Sequence, residues 1–316
     1  MKEKLPNTVV LIHQLFLLAL GTIALNACAT KEKQRDATSK IQIVTTTGMI
    51  KDAVENVVGD QAEVVALMGP GVDPHLYKAT QGDLQRLTDA DIVFYNGLHL
   101  EGKMGEVLEK LGRTRPVIAV SSEIPDTLLR AVPGFQGTHD PHIWFDVNLW
   151  KHAVLTIAGF MQRHDSAHAT LYNQRRDRYL LQLDSLHKSV KTSIPQIPEK
   201  QRVLITAHDA FGYFGDAYAI EVRGLQGIST VSEFGLKDVT ELVNFIIKRQ
   251  IKAIFVETSV SQKSIEAVVE GCQQKNWNVK IGGSLYSDAM GPAGTPEGTY
   301  IGMVNANVKK IVDSLR

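Results

Sequence analysis

Two short stretches of this chain place a histidine at a stiff corner. Asp73-Pro74-His75-Leu76-Tyr77 and Asp140-Pro141-His142-Ile143-Trp144 share one pattern: Asp-Pro-His, an apolar residue, then an aromatic one. Aspartate initiates turns, and proline fixes its own φ while pushing the residue before it out of the helical region. The histidine that follows has little freedom left to lose, which suits a side chain that must point at a ligand. Ala207-His208-Asp209-Ala210 and Tyr286-Ser287-Asp288-Ala289 add a third imidazole and a carboxylate, each just past an apolar run. Three neutral imidazoles and one carboxylate form a donor set for a divalent transition metal, Zn2+, Mn2+ or Fe2+.

The chain has ten histidines, so this choice has rivals. His139 precedes the second Asp-Pro pair instead of following it, and His99 sits in the polar stretch Asn96-Gly97-Leu98-His99-Leu100-Glu101. Both remain open as donors. His152, His164, His168 and His187 lie in stretches of helical spacing and read as surface or capping residues. Glu257 follows another apolar run. It could accept a bond from a ligand histidine and fix its tautomer, although a plain surface role explains it as well.

The elements that position these residues alternate. Residues 41–47, 62–68, 91–95 and 116–120 read as strands, and 49–58, 81–90 and 103–111 as helices between them. A helix over 148–163 follows. Then comes an unbroken helical pattern over 168–194, roughly 40 Å long at 1.5 Å per residue. The second half repeats the alternation, with strands at 202–206, within 221–227, at 253–256 and at 279–281, and helices over 211–219, 237–249, 261–275 and 300–315. Strand–helix alternation predicts an α/β fold: two lobes, each a mostly parallel four-stranded sheet with flanking helices, joined by one long rigid helix. In such sheets ligands bind outside the carboxyl ends of the strands. His75 follows the second strand and His142 lies on the loop closing the first half. His208 stands two residues past a strand, and Asp288 follows the last one.

The domain boundaries follow: a signal at 1–27, a polar tether at 28–40, an N-terminal lobe at 41–164, the long helix at 165–195 and a C-terminal lobe at 196–316. Lys2 and Lys4 precede an apolar run over 9–25, the pattern of an export signal. It ends in Leu25-Asn26-Ala27-Cys28, which resembles the lipobox of bacterial lipoproteins and implies a lipid on Cys28. The only other cysteine, Cys272, falls in a helical pattern and reads as a buried, inert thiol. Lys+Arg and Asp+Glu are equal at 34 each. No basic excess exists to attract nucleic acid, and nucleic-acid binding is set aside.

Taken in order, Asp-Pro-His-Leu-Tyr at 73–77, Asn-Gly-Leu-His-Leu-Glu at 96–101, Asp-Pro-His-Ile-Trp-Phe-Asp at 140–146, Ala-His-Asp-Ala-Phe-Gly-Tyr-Phe at 207–214 and Tyr-Ser-Asp-Ala-Met-Gly at 286–291 resemble the zinc/manganese class of ABC-transporter solute-binding lipoproteins. The likeness spans the mature chain and is greatest to its TroA-like members. It implies metal held between two lobes by His75, His142, His208 and Asp288, and it implies a permease, its ATPase and a lipid-anchored, exported monomer as the setting. Zinc-specialised relatives often carry a histidine-rich acidic loop before the second ligand; residues 121–138 contain no histidine.

The expected mechanism is capture between lobes and delivery to the permease, with the long helix limiting motion to small rotations. Loops near His208 and Asp288 are the expected movers, since His75 and His142 sit on proline-stiffened corners. Two other classes compete. A secreted zinc hydrolase would use Glu257 as base, but no His-Glu-x-x-His segment exists and a fourth protein donor closes the shell. A surface adhesin finds no repeat or stalk.

Overall fold

The computed structural model describes residues 40–132 and 137–316. The signal, most of the tether and Cys28 lie outside the described residues. In the first lobe β1 (Ile41–Thr45), β2 (Ala62–Ala66), β3 (Ile92–Tyr95) and β4 (Val117–Ala119) form one sheet in the order β2-β1-β3-β4, every pair parallel. Period-two alternation decides which face each side chain meets. Ile43, Ile92 and Phe94 point to α1 (Gly48–Val58), while Val44, Val93 and Tyr95 point to the opposite face under α2 (Gln81–Asp89) and α3 (Gly105–Gly112). A strand buried on both faces reads as a continuous apolar run, which is why 91–95 was legible. The sheet's order reverses at β1, so β1 and β3 open a crevice at their carboxyl ends.

The second lobe repeats the plan with β5 (Val203–His208), β6 (Glu221–Gln226), β7 (Ala253–Glu257) and β8 (Lys280–Leu285). Its strands hydrogen-bond as two parallel pairs, β5-β6 and β7-β8, and β5 and β7 lie side by side. α6 (Gly212–Tyr218) follows β5. α7 (Leu236–Arg249) and α8 (Lys263–Gln274) cover the outer face, where Ile205, Ile254 and Val256 pack with Ile246, Val268 and Cys272. Cys272 is the buried thiol expected, its pKa pushed up to about 11 by that burial. β8 extends past the expected 279–281 because its parallel register with β7 continues through a bulge to Leu285.

α4 (Val147–His164) closes the first lobe, and the 25-residue α5 (Ala169–Ser193) runs on from it to the second. α5 buries one stripe, Tyr172, Tyr179, Leu183, Leu186 and Val190, at helical spacing. It rests on α1 and α4 from the first lobe and on α9 (Tyr300–Leu315) from the second. The central core is accordingly continuous: Ile43, Trp150 and Leu183 belong to the same buried cluster as Phe255, Leu285 and Ile311. Among the described residues no helix is long and apolar enough to cross a membrane.

Candidate metal centre

The two Asp-Pro-His corners are built the same way. Asp73 Oδ1 accepts the His75 backbone N–H at 2.8 Å, and Asp140 Oδ1 accepts that of His142 at 3.0 Å. Each aspartate thus closes a turn two residues on, the local bond that makes this residue a turn former. Asp140 does more: the same oxygen lies 2.7 Å from Nδ1 of His142. The other carboxylate of that motif, Asp146, is spent as the N-cap of α4, accepting the Asn148 N–H at 2.8 Å.

A scaffold at the β3 exit holds the second corner. Asn96 donates to the Pro141 carbonyl at 2.9 Å, and the buried Glu101 carboxylate collects the Thr46 hydroxyl and the Asn96 N–H, both at 2.7 Å. Gly97 has φ +83°, and a Cβ there would stand 2.6 Å from Ser121 Oγ, so only glycine fits. The Asn-Gly-Leu-His-Leu-Glu stretch is therefore structural. His99 lies exposed in it, outside the cluster described next.

His208 is the last residue of β5, not a residue of the following loop. The strand runs on because β6 pairs as far as Gln226 opposite His208. Glu257, the last residue of β7, takes the His208 N–H at 2.9 Å and lies 2.6 Å from its Nδ1. The Asp288 loop is pinned on both sides: Trp144 Nε1 donates to the Ser287 carbonyl at 3.0 Å, and Asn307 pairs with both backbone groups of Tyr286. The loop-mobility expected near His208 and Asp288 has no support in this geometry.

These elements bring His75, His142, His208 and Asp288 together. All four are buried, and their donor atoms lie within 4.8 Å of one another. His75 Nε2 is 3.2 Å from His142 Nε2. Asp288 Oδ1 is 3.5 Å from His142 Nε2, and Oδ2 is 3.3 Å from His208 Nε2. Neither carboxylate oxygen of Asp288, nor Nε2 of His208, has a hydrogen-bond partner. Buried polar atoms left unpaired are costly. Four buried donors that converge on one point, with both Asp288 oxygens left unpaired, fit a cation. His139 is not among the four; it sits half-buried in an isolated bridge to Ala131.

Burial pulls the His75 imidazole down to about 3. Burial works against charge on His142 too, but Asp140 and Asp288 outweigh it and hold this ring up at about 9. At His208 the opposing burial is likewise outweighed, by Glu257 and Asp288, and the pKa stands well above the ordinary value. Burial would raise Asp288, yet the surrounding imidazoles hold it well below the usual carboxylate range. The Asp288 carboxylate stands among three imidazoles, with Asp140 and Glu257 behind two of them, an arrangement that favours positive charge at the centre.

The sequence reading missed Asp140 as the partner of a histidine ring. An acidic residue two positions before a histidine was the available signal, but whether it reaches backbone or ring depends on rotamers the sequence does not show. Missed as well was a contact between lobes: Tyr213 donates to the Asp140 carbonyl at 2.8 Å, and Arg130 lies 2.5 Å from Asp216 and 3.6 Å from Asp140.

Over residues 43–314 the chain matches the family described as zinc-uptake complex component A, periplasmic (ZnuA). The chain belongs to the ZnuA family. It is 50% identical over 297 residues to the manganese-binding lipoprotein MntA of Bacillus subtilis strain 168, covering 94% of this chain and 96% of that protein. It is 46% identical over 299 residues to the zinc-binding protein TroA of Treponema pallidum strain Nichols, covering 95% and 96%. The solved structure of that periplasmic zinc-binding TroA superposes with a TM-score of 0.85 at 48% identity, over 88% of this chain and 99% of the other. The ZnuA family is one of transport components, not of enzymes, so the hydrolase reading falls. The geometry agrees, because Glu257 faces His208 with both oxygens and is not poised as a base.

Proposed function

We propose that this chain is the extracytoplasmic solute-binding lipoprotein of an ABC importer. It captures a divalent transition metal with His75, His142, His208 and Asp288 and delivers it to a membrane permease driven by an ATPase. The observation that carries this reading is the convergence of three imidazoles and an unpartnered carboxylate in a buried centre. Two donors come from each lobe, so neither lobe alone completes the site. Asp140 and Glu257 hold Nδ1 of His142 and His208, which leaves Nε2 of each ring for the metal. Cys28 carries the lipid that tethers a monomer to the membrane, facing the periplasm or the cell exterior.

The cargo is Mn2+ or Zn2+, with Fe2+ served by the same donors. Relatives of nearly equal similarity are named for manganese and for zinc, so similarity does not divide the two. Zn2+ will bind tighter than Mn2+ in vitro whatever the physiological cargo, because affinity follows the general order of divalent ions. The deciding experiment is metal analysis of the chain purified without added metal, paired with Mn2+ and Zn2+ uptake in a deletion strain. Restored uptake of one ion names the cargo; no bound metal and no uptake defect would sink the reading. His208→Ala is expected to weaken Zn2+ binding by about a hundredfold or more, beyond the roughly 10–100-fold lost with a partner that only orients a ligand, while the melting temperature of the metal-free protein stays within a few degrees. Unchanged affinity would mean that the site lies elsewhere.

A further inference from the structure

His75 differs from the other two histidines of the centre. A carboxylate is hydrogen-bonded to Nδ1 of His142, and another lies 2.6 Å from Nδ1 of His208. Among the described residues none holds Nδ1 of His75, whose orientation depends on the Asp73 turn alone. His75 is also the donor nearest to solvent: it is 4% exposed and lines a cavity of about 400 Å³. The opposite wall of that cavity is Gly227, Ile228, Ser229 and Ser232 of the second lobe.

The Asp73 carboxylate joins the two lobes, reaching His75 two residues on from it on one side and the 227–235 segment on the other. Oδ1 accepts the His75 N–H at 2.8 Å, and Oδ2 accepts the Thr230 hydroxyl of the second lobe at 2.6 Å. The segment 227–235 otherwise bonds within its own lobe, as in Ser232 N–H to Ser229 O and Gln226 Nε2 to Ser232 O. Among the described residues, Thr230 makes its one hydrogen bond to the first lobe. We propose that Thr230 is a positioning residue for metal retention: its hydroxyl fixes the Asp73 carboxylate, and through it the His75 corner, across the lobe boundary. This rests on the reading of His75 as a metal donor.

The physical reason is a shared carboxylate. Two bonds to one carboxylate hold its plane, and that plane aims the His75 backbone. Without the hydroxyl, Asp73 keeps its turn but is free to rotate, and the least supported donor leaves the metal more often. Dissociation, not association, should respond, since most affinity changes of this kind appear in the off-rate.

The test loads the protein with Zn2+ and, separately, Mn2+, then follows release into excess EDTA. Thr230→Val keeps the shape and deletes the hydroxyl; Thr230→Ser keeps the hydroxyl. Thr230→Val is expected to release metal about tenfold faster, the scale of losing a hydrogen bond to a charged group, with Thr230→Ser within about twofold of the parent. Thr230→Ala serves the same purpose if valine disturbs folding, which the metal-free melting temperature reports. Parental release from Thr230→Val, or release from Thr230→Ser as fast as from Thr230→Val, overturns the proposal and leaves the metal site standing. A parent protein that loads neither ion overturns both.

Discussion

Asp140 and Glu257 do the same work from different places. One reaches its histidine two residues along the chain, the other from a neighbouring strand. Both leave Nε2 aimed at the centre, and both raise the basicity of their ring. Neutral analogues keep the acceptor for the histidine N–H but lose the charge. Asp140→Asn and Glu257→Gln are each expected to weaken Zn2+ binding by about 10–100-fold, measured by chelator competition. An unchanged affinity in either variant would show that its carboxylate serves only folding. Asp288 belongs to a different class, because its own oxygens stand unpaired in the centre.

At the scale of elements, the packing of α5 on α1 includes a buried carboxylate. Asp52 of α1 accepts the Tyr179 hydroxyl of α5 at 2.7 Å. Burial raises the pKa of Asp52 above its ordinary value, with the Tyr179 bond only partly opposing it. The native state therefore holds this proton to higher pH than the unfolded chain does. Its contribution to stability is present below the unfolded pKa and is lost as pH rises through the folded one. At neutral pH, where the unfolded chain's Asp52 is ionised, burying this carboxyl is a cost. Asp52→Asn, which keeps an acceptor for Tyr179, is expected to raise the melting temperature by a few degrees at pH 7 and to change it little at pH 3. A lower melting temperature at pH 7 would show that the charge itself is needed between the helices.

For the molecule as a whole, the shared core sets how far the lobes can move. α5 and α9 bury side chains from both lobes in one cluster, so wide opening would expose that core to water. Small rotations and loop shifts are what remain. Metal that joins donors from both lobes binds only the assembled state, so it must stabilise it. At 100-fold excess over the dissociation constant, the melting temperature should rise by roughly 5 °C or more, read by calorimetry with Zn2+ or Mn2+. No shift with either ion would count against the site and the function together.

Much of this was legible in the chain because it is local. Asp-Pro-His fixes a corner whatever surrounds it, and double-sided burial writes each central strand as an apolar run. Strand–helix alternation then implies a parallel sheet, and a parallel sheet implies a site at its carboxyl ends. Those steps selected His75, His142, His208 and Asp288 and set His99 and His139 beside them as rivals. What the chain could not decide was distance. That Asp140 turns back to the His142 ring is settled by a rotamer, and that Glu257 meets His208 by two strands lying side by side; that Asp73 reaches Thr230 in the other lobe depends on the docking of the two lobes. That docking is set by the stripe of α5 and the core it shares, where side chains far apart in sequence meet. The corners and their aspartates were written in the sequence; which groups meet them from the rest of the molecule was decided by tertiary packing.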